Sequence, residues 1–451
     1  MSNFTTSTST QSTQSIPTIT PTTEESKLFN YLLSSLSHPS IPPSLTGLTL
    51  RVAGGWVRDK ILNKQSHDID IALDKCTGVQ FAEWLLQYER IITPNLPPSK
   101  YHKILANPSQ SKHLETATMT LLNYELDFVN LRSESYAETS RIPSTTIGTP
   151  IQDAVRRDFT CNALFYNLNL RTIEDFTGSG LLDLSNKVLR TPVSAKVTFK
   201  DDPLRLIRGI RFAGRLGFVL DDGVMEAGRD QDVRVGLVEK VSRERIGKEV
   251  SGFFTPGGNP GVSYKILQDL DLVKVIYDLD GWGVGDSGTW VRHIVCLCEG
   301  LEAQEVRLLY LCGPLAGVGG GEVEEVNKNG TKRMVGVAGK AVRDGLKMKA
   351  QDATKANVIT GGGLGEVGRM IGMVEEGGKP GRLEVGEWVR KGKEDWRVMV
   401  RLAAAVRVEE RGDMEKVKGA VKGLEDIVVK GERDEDHWGG DTDLACNYSQ
   451  S

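Results

Sequence analysis

Two aspartates, Asp68 and Asp70, stand two residues apart in the run Ser66-His67-Asp68-Ile69-Asp70-Ile71-Ala72-Leu73. Successive residues of a strand point to opposite faces, so both carboxylates project from one face. Left alone they repel, and a hard divalent cation with oxygen ligands offsets that repulsion. Upstream, the apolar run around Arg51-Val52-Ala53 ends in Gly54-Gly55, and a short helix-like segment then carries Arg58. A double glycine at a strand-to-helix turn lets backbone N–H groups approach a phosphate, whose charge a helix N-terminus favours. An isolated D-x-D or Gly-Gly is common in proteins that use neither for chemistry. Both in one strand–helix–strand unit suggest metal-assisted nucleotidyl transfer.

Three further groups could serve such a reaction. Asp127, in Leu126-Asp127-Phe128-Val129, is a strand carboxylate that could join Asp68 and Asp70 or simply pair with an arginine. Arg156-Arg157-Asp158 could be a solvated surface cluster. It precedes the apolar run Phe159–Asn167, so we expect it to open a helix whose positive end suits Asp158. Asn162 falls one turn further along and could orient that carboxylate. In Asp201–Arg215, Asp202 reads as a helix N-cap and Pro203 as the first helical residue. Arg205, Arg208, Arg211 and Arg215 then form one helical stripe, with Leu206, Ile210 and Ala213 on the opposite side. Such a stripe repels itself unless an anion lies near it, although basic stripes can also be merely solvated.

These motifs resemble the nucleotidyltransferase superfamily that includes polymerase beta. The G-G-x-V-R-D form at Gly54–Asp59 and R-R-D-x-x-x-N-A at Arg156–Ala163 are closer to class II tRNA nucleotidyltransferases of the eukaryotic type, the CCA-adding enzymes. Bacterial poly(A) polymerases share them. The resemblance runs from Glu25 to Gly252. It implies an α+β chain, with a polymerase-beta-like catalytic domain of mixed sheet and helices followed by an all-helical C-terminal half. It also implies a monomer that adds CCA to the tRNA 3′ end from CTP and ATP. In that scheme Asp68 and Asp70 hold Mg²⁺, with Asp127 as a third acid, and Gly54, Gly55 and Arg58 position phosphates. Arg157 contacts the nucleotide, Asp158 reads its ribose and Asn162 supports it. Asp202 and Arg205 read the base, Arg208 and Arg211 contact the nucleotide, and the helix after Ser242 buttresses them. Glu174–Leu184 matches a connector between domains. Two alternatives stay open, a poly(A) polymerase using ATP alone and an RNA-binding protein with a dead catalytic fold. The segments Phe128–Glu134 and Ser140–Pro143 resemble the CCA-adding enzymes.

The elements that must position these groups are partly legible. Glu25–Leu33 reads as an amphipathic helix, Phe81–Leu86 as another, and Glu115–Leu122 and Tyr124–Leu131 as strands around a turn at Asn123. Arg132–Pro150 reads as a long polar loop. We expect a disordered Ser/Thr-rich leader over 1–24, a catalytic head over 25–175 and a helical base-recognition neck over 176–255. A helical, tRNA-binding body and tail follows over 256–432, then a disordered end from 433. The glycine triplets at 319–321 and 361–363 read as interhelical loops. With 451 residues, 39% hydrophobic and 26% charged, the chain has ample core. Its net charge of -4 requires any RNA-binding surface to be local. No apolar run is long enough to span a bilayer. Six cysteines without zinc-ribbon spacing point to a reducing compartment. An intracellular protein is therefore expected, in cytoplasm, nucleus or mitochondrion, although the leader lacks the arginines of a transit peptide.

Overall fold

The computed structural model describes residues 17–66, 68–95, 99–104, 116–135, 144–279, 290–318, 320–326, 329–361 and 363–433. Of the leader expected over 1–24, the residues before 17 lie outside the described residues, as do 140–143 and the end beyond 433, whereas Thr22 to Glu24 are ordered as the cap and first residues of a helix. The chain divides into two compact units. The first comprises Met1–Asp201 with Val219–Val224, and the second comprises Asp202–Phe218 with Met225–Ser451.

Helix α1 (Thr23–Leu36) starts where Thr22 and Glu25 close a reciprocal capping box. Thr22 Oγ1 accepts from the Glu25 N–H at 3.2 Å, and the Glu25 carboxylate accepts from the Thr22 N–H at 2.7 Å. That buried carboxylate also accepts from Trp56 Nε1 at 3.0 Å and Lys60 Nζ at 2.7 Å. It therefore ties α1 to the segment that follows the double glycine.

Then come β1 (Leu50–Ala53), α2 (Gly55–Ile61), β2 (Ile69–Leu73), α3 (Gly78–Ile92), β3 (Tyr101–Ile104), β4 (Thr116–Leu121) and β5 (Tyr124–Asn130). Next are β6 (Arg132–Ser135), β7 (Ser144–Ile147), α4 (Pro150–Val155), β8 (Phe165–Asn167) and β9 (Thr172–Glu174). One seven-stranded sheet has the order β3-β4-β5-β2-β1-β8-β9. Its neighbours are antiparallel except β2 and β5, which run parallel with Asp70 opposite Asp127. Parallel neighbours cannot be joined by a tight turn, and here α3 and the β3–β4 pair fill the crossover.

Strand β2 is buried at Ile69, Ile71, Ala72 and Leu73, and its one half-exposed residue is Asp70. Helix α3 buries Phe81, Ala82, Trp84, Leu85 and Tyr88, the stripe expected of a helix lying on a sheet. Phe81 meets Phe128 of β5 edge-on at 5.1 Å. At the start of α3 the backbones touch, because a Cβ on Gly78 would lie 2.2 Å from the Phe128 carbonyl oxygen. The β4–β5 connection is the tight turn expected at Asn123. Leu122 and Asn123 have φ of 48° and 69°, the mirror-image geometry that matches strand twist.

The stretch from Arg132 to Pro150 is not simply a loop. β6 and β7 pair antiparallel from Arg132↔Ile147 to Ser135↔Ser144. A polar ribbon lacks the apolar alternation by which strands are recognised. The first unit closes with α5 (Gly180–Ser185), β10 (Val188–Leu189) and α6 (Ala195–Asp201), and β11 (Val219–Leu220) pairs with β10.

The second unit is helical, and its first members are α7 (Leu204–Leu216), α8 (Asp222–Arg229), which straddles the division, α9 (Gln231–Lys240) and α10 (Arg243–Ser251). Among the described residues helices recur as far as Arg433, together with an antiparallel pair of β12 (Glu322–Val326) and β13 (Lys332–Gly336). The second glycine triplet separates two helices, as expected, whereas Gly320 and Gly321 lead into β12. No helix among the described residues is long and apolar enough to cross a membrane.

Substituting Gly78→Ala should push α3 off β5. We expect a loss of about 1–3 kcal/mol, the usual cost of overpacking, read as a lower thermal midpoint with an otherwise native circular dichroism spectrum.

Candidate active site

The site begins with the parallel pairing. Asp70 on β2 faces its register partner Asp127 on β5, and Asp68 lies just ahead of β2. One carboxylate oxygen from each lies within 4.8 Å of the others. The third acid considered from sequence thus joins the first two. Thr118 of β4 donates to Asp127 Oδ1 at 2.5 Å and fixes that carboxylate. Three crowded oxygen donors suit a hard divalent cation. Burial, with Asp68 and then Asp127 adding repulsion, pushes the Asp70 carboxyl up to about 6, against the opposing charges of Arg157 and Arg132.

The double glycine behaves differently at its two positions. Gly54 has φ 66°, and its N–H donates to the Leu164 carbonyl at 2.9 Å. A Cβ there would lie 2.8 Å from Arg157 Nη1, so a side chain would displace that guanidinium. With the Gly54 N–H engaged, a phosphate cradle must start at Gly55.

Arg58 is turned inward. It is 4% exposed, donates from Nη1 to Asn162 Oδ1 at 2.6 Å and from Nε to Asp59 Oδ1 at 2.8 Å. Asn162 in turn donates to Asp158 Oδ1 at 3.0 Å. The expected support of Asp158 by Asn162 is present, and Arg58 extends it by one residue.

The helix expected after Arg156 is absent. α4 ends at Val155, and Arg157 and Asp158 precede a 3₁₀ turn, Thr160–Asn162, that leads into β8. Every residue from Phe159 to Leu168 is buried. A continuous apolar run carries no period by which helix and strand can be told apart.

Arg157 is held mainly by a residue that sequence reasoning passed over. Asp153 is 1% exposed, and its Oδ2 accepts from Arg157 Nε at 3.0 Å and Nη2 at 2.8 Å. Its Oδ1 accepts from Arg156 Nε at 2.9 Å and Nη2 at 2.5 Å, and from the Arg132 backbone N–H at 3.0 Å. Burial works to raise the Asp153 carboxyl, but Arg157 and Arg156 outweigh it and hold it down at about 2. The signal was available, since Asp153 precedes the two arginines by three and four residues, the spacings that meet on a helix face.

In the second unit, α7 carries Arg205, Arg208 and Arg211 half-exposed and Arg215 exposed, with Leu206, Ile210 and Ala213 buried. Asp202 lies just ahead of α7, and its side chain accepts from the Leu204 N–H at 3.3 Å. The helix thus starts one residue later than Pro203. Self-repulsion within the stripe is relieved by α10, whose Glu249 reaches Arg211 at 2.6 Å and Arg208 at 3.5 Å. From the same helix Arg245 donates to Asp202 Oδ2 at 2.8 Å, and Ser242 caps it as expected. α10 therefore buttresses α7.

The raised Asp70 carboxyl has a stability consequence. Its folded value of about 6 lies above the ordinary 3.8, so its contribution is most favourable at low pH and is lost as pH rises through 6. Asp70→Asn should therefore stabilise the metal-free protein at pH 8, by at most about 3 kcal/mol. The gain should shrink as the pH is lowered below 5. Thermal melts in EDTA at both pH values check this, and a lower midpoint at pH 8 would contradict the assigned cost of burying the Asp70 charge beside its neighbouring carboxylates.

Residues 50–190 match the poly A polymerase head domain. The mitochondrial CCA tRNA nucleotidyltransferase of Candida glabrata is 47% identical over 265 residues, covering 58% of this chain and 50% of that protein. The Saccharomyces cerevisiae protein of the same name is 47% identical over 265 residues, 58% of this chain and 48% of its own. The matched region thus spans about half the length of these relatives. The fold extends further, since the Thermotoga maritima CCA-adding enzyme complexed with tRNA superposes with a TM-score of 0.60 at 20% identity, covering 89% of this chain and 82% of that one. Over residues 50–190 the chain is therefore similar to the poly A polymerase head domain.

Proposed function

We propose that this protein is a CCA-adding enzyme that extends the 3′ end of tRNA with CTP and ATP without a nucleic-acid template. The observation that carries the reading is the trio Asp68, Asp70 and Asp127, in a chain similar to the poly A polymerase head domain and to CCA tRNA nucleotidyltransferases. Mg²⁺ held by the trio would supply Lewis acidity, lowering the pKa of the terminal 3′-hydroxyl and neutralising the triphosphate.

The remaining roles belong to the chain itself. Arg157, locked against the Gly54 turn, offers a fixed positive charge to phosphate. Asp158, steadied by Asn162 and through it by Arg58, is an acceptor for a ribose 2′-hydroxyl, which favours ribonucleotides. Arg58 acts on this reading as a brace for that acceptor rather than as a direct phosphate ligand. Gly55 N–H is a candidate phosphate donor. Asp202 can accept from the exocyclic amine that cytosine and adenine share, while Arg205 donates to ring acceptors. Uracil and guanine present the wrong edges to that pair. Arg208 and Arg211 add positive charge near the nucleotide, with Glu249 setting their orientation.

Incubating the protein with tRNA lacking its 3′ CCA, Mg²⁺ and each NTP, then sequencing the products, tests the reading. CTP alone should give CC and CTP with ATP should give CCA. Tails of A from ATP alone would identify a poly(A) polymerase, and no extension would identify an RNA-binding protein.

Asp68→Ala and Asp70→Ala should each reduce incorporation to background while the protein stays folded. Full activity in either would sink the metal assignment. Arg205→Ala should cost about 1–3 kcal/mol of discrimination between CTP and UTP, measured as the ratio of kcat/KM values. An unchanged ratio would remove Arg205 from base reading.

A further inference from the structure

Arginine is long and flexible, so a guanidinium that must meet a phosphate in one place has to be held there. Arg157 is held on three sides. Asp153 takes its Nε and Nη2 through one carboxylate oxygen, the Asn162 carbonyl accepts from Nη1 at 3.2 Å, and the Phe165 ring lies 5.0 Å away. Of these contacts only Asp153 carries a compensating charge. Its second oxygen binds Arg156 and the backbone N–H of Arg132, so the carboxylate cannot turn without breaking contacts on the segment just after α4 and at the start of β6. This fork directs the Nη1 edge of the guanidinium toward the Gly54 turn.

We infer that Asp153 is the positioning residue for Arg157, setting it beside the carboxylate trio so that its charge meets the incoming triphosphate. Asp153 touches neither metal nor nucleotide in this role and acts through the arginine alone. The inference rests on the nucleotidyl-transfer reading above.

A double-mutant cycle on the full chain tests it, with kcat/KM for CTP incorporation measured on tRNA lacking CCA in the presence of Mg²⁺. Asp153→Asn should lower kcat/KM by about 10- to 100-fold. In an Arg157→Ala background the same change should matter by less than about twofold, because the group it positions is gone. Arg157→Lys keeps the charge but loses the fork, and should fall as far as Asp153→Asn. An equal effect of Asp153→Asn in both backgrounds would show that Asp153 acts through the fold at large and would overturn the inference. So would wild-type kcat/KM in Arg157→Lys, which decides the matter alone should Asp153→Asn not fold. Wild-type protein that fails to extend the primer overturns the transferase reading and this inference with it. Wild-type protein that extends it while the cycle is additive overturns this inference only.

Discussion

The first unit is organised around one unfavourable interaction, the crowding of three carboxylates at a parallel strand pair. Asp70 and Asp127 are register partners on β2 and β5, so every feature that holds this register also forces the two charges together. Buried apolar neighbours, Ile69 and Ile71 on one strand and Leu126 and Phe128 on the other, supply the hydrophobic gain that keeps the pair in place. Burial first, and then the neighbouring carboxylates, raise the Asp70 carboxyl. A site whose charges repel in the resting protein is one that favours a cationic occupant.

Much of the surrounding structure manages the consequences. Arg157 lies close enough to oppose the repulsion at Asp70, and, half-buried beside an apolar ring, it has its counter-charge in the buried Asp153. Arg58 is buried for the same purpose one step away, where it orients Asn162 and through it Asp158. Removing one partner of such a buried charge pair costs more than the pair contributes, so these groups behave as a linked set. Gly54 closes the arrangement, since its missing side chain leaves the space Arg157 occupies.

The second unit solves a similar problem with the sign reversed. Four arginines at helical spacing on α7 would repel along one face. Glu249 on α10 answers two of them, and Arg245 of the same helix answers Asp202. Helices α7 and α10 are thus joined by crossed ion pairs as well as by packing. Of the base-reading groups proposed here, Asp202 is therefore held in a set direction by Arg245.

The sequence by itself determined what is local. Period-two spacing placed Asp68 and Asp70 on one face, helical spacing placed the arginines of α7 in a stripe, and short polar signals marked the cap at Ser242 and the turn at Asn123. The order of sheet-bearing and helical halves was legible for the same reason, because periodicity reports which face of an element is buried. Only the tertiary structure decided the non-local partners. Asp127 joined the trio through the register of a parallel pair whose crossover contains α3 and two further strands. Arg58 turned inward because Asn162, far along the chain, offered it an acceptor. The buried run from Phe159 became a turn and a strand, since uninterrupted apolarity carries no period, and the polar ribbon β6–β7 was invisible for want of one. A face can be encoded by neighbours in sequence, but the group that meets it is chosen by strand register and packing.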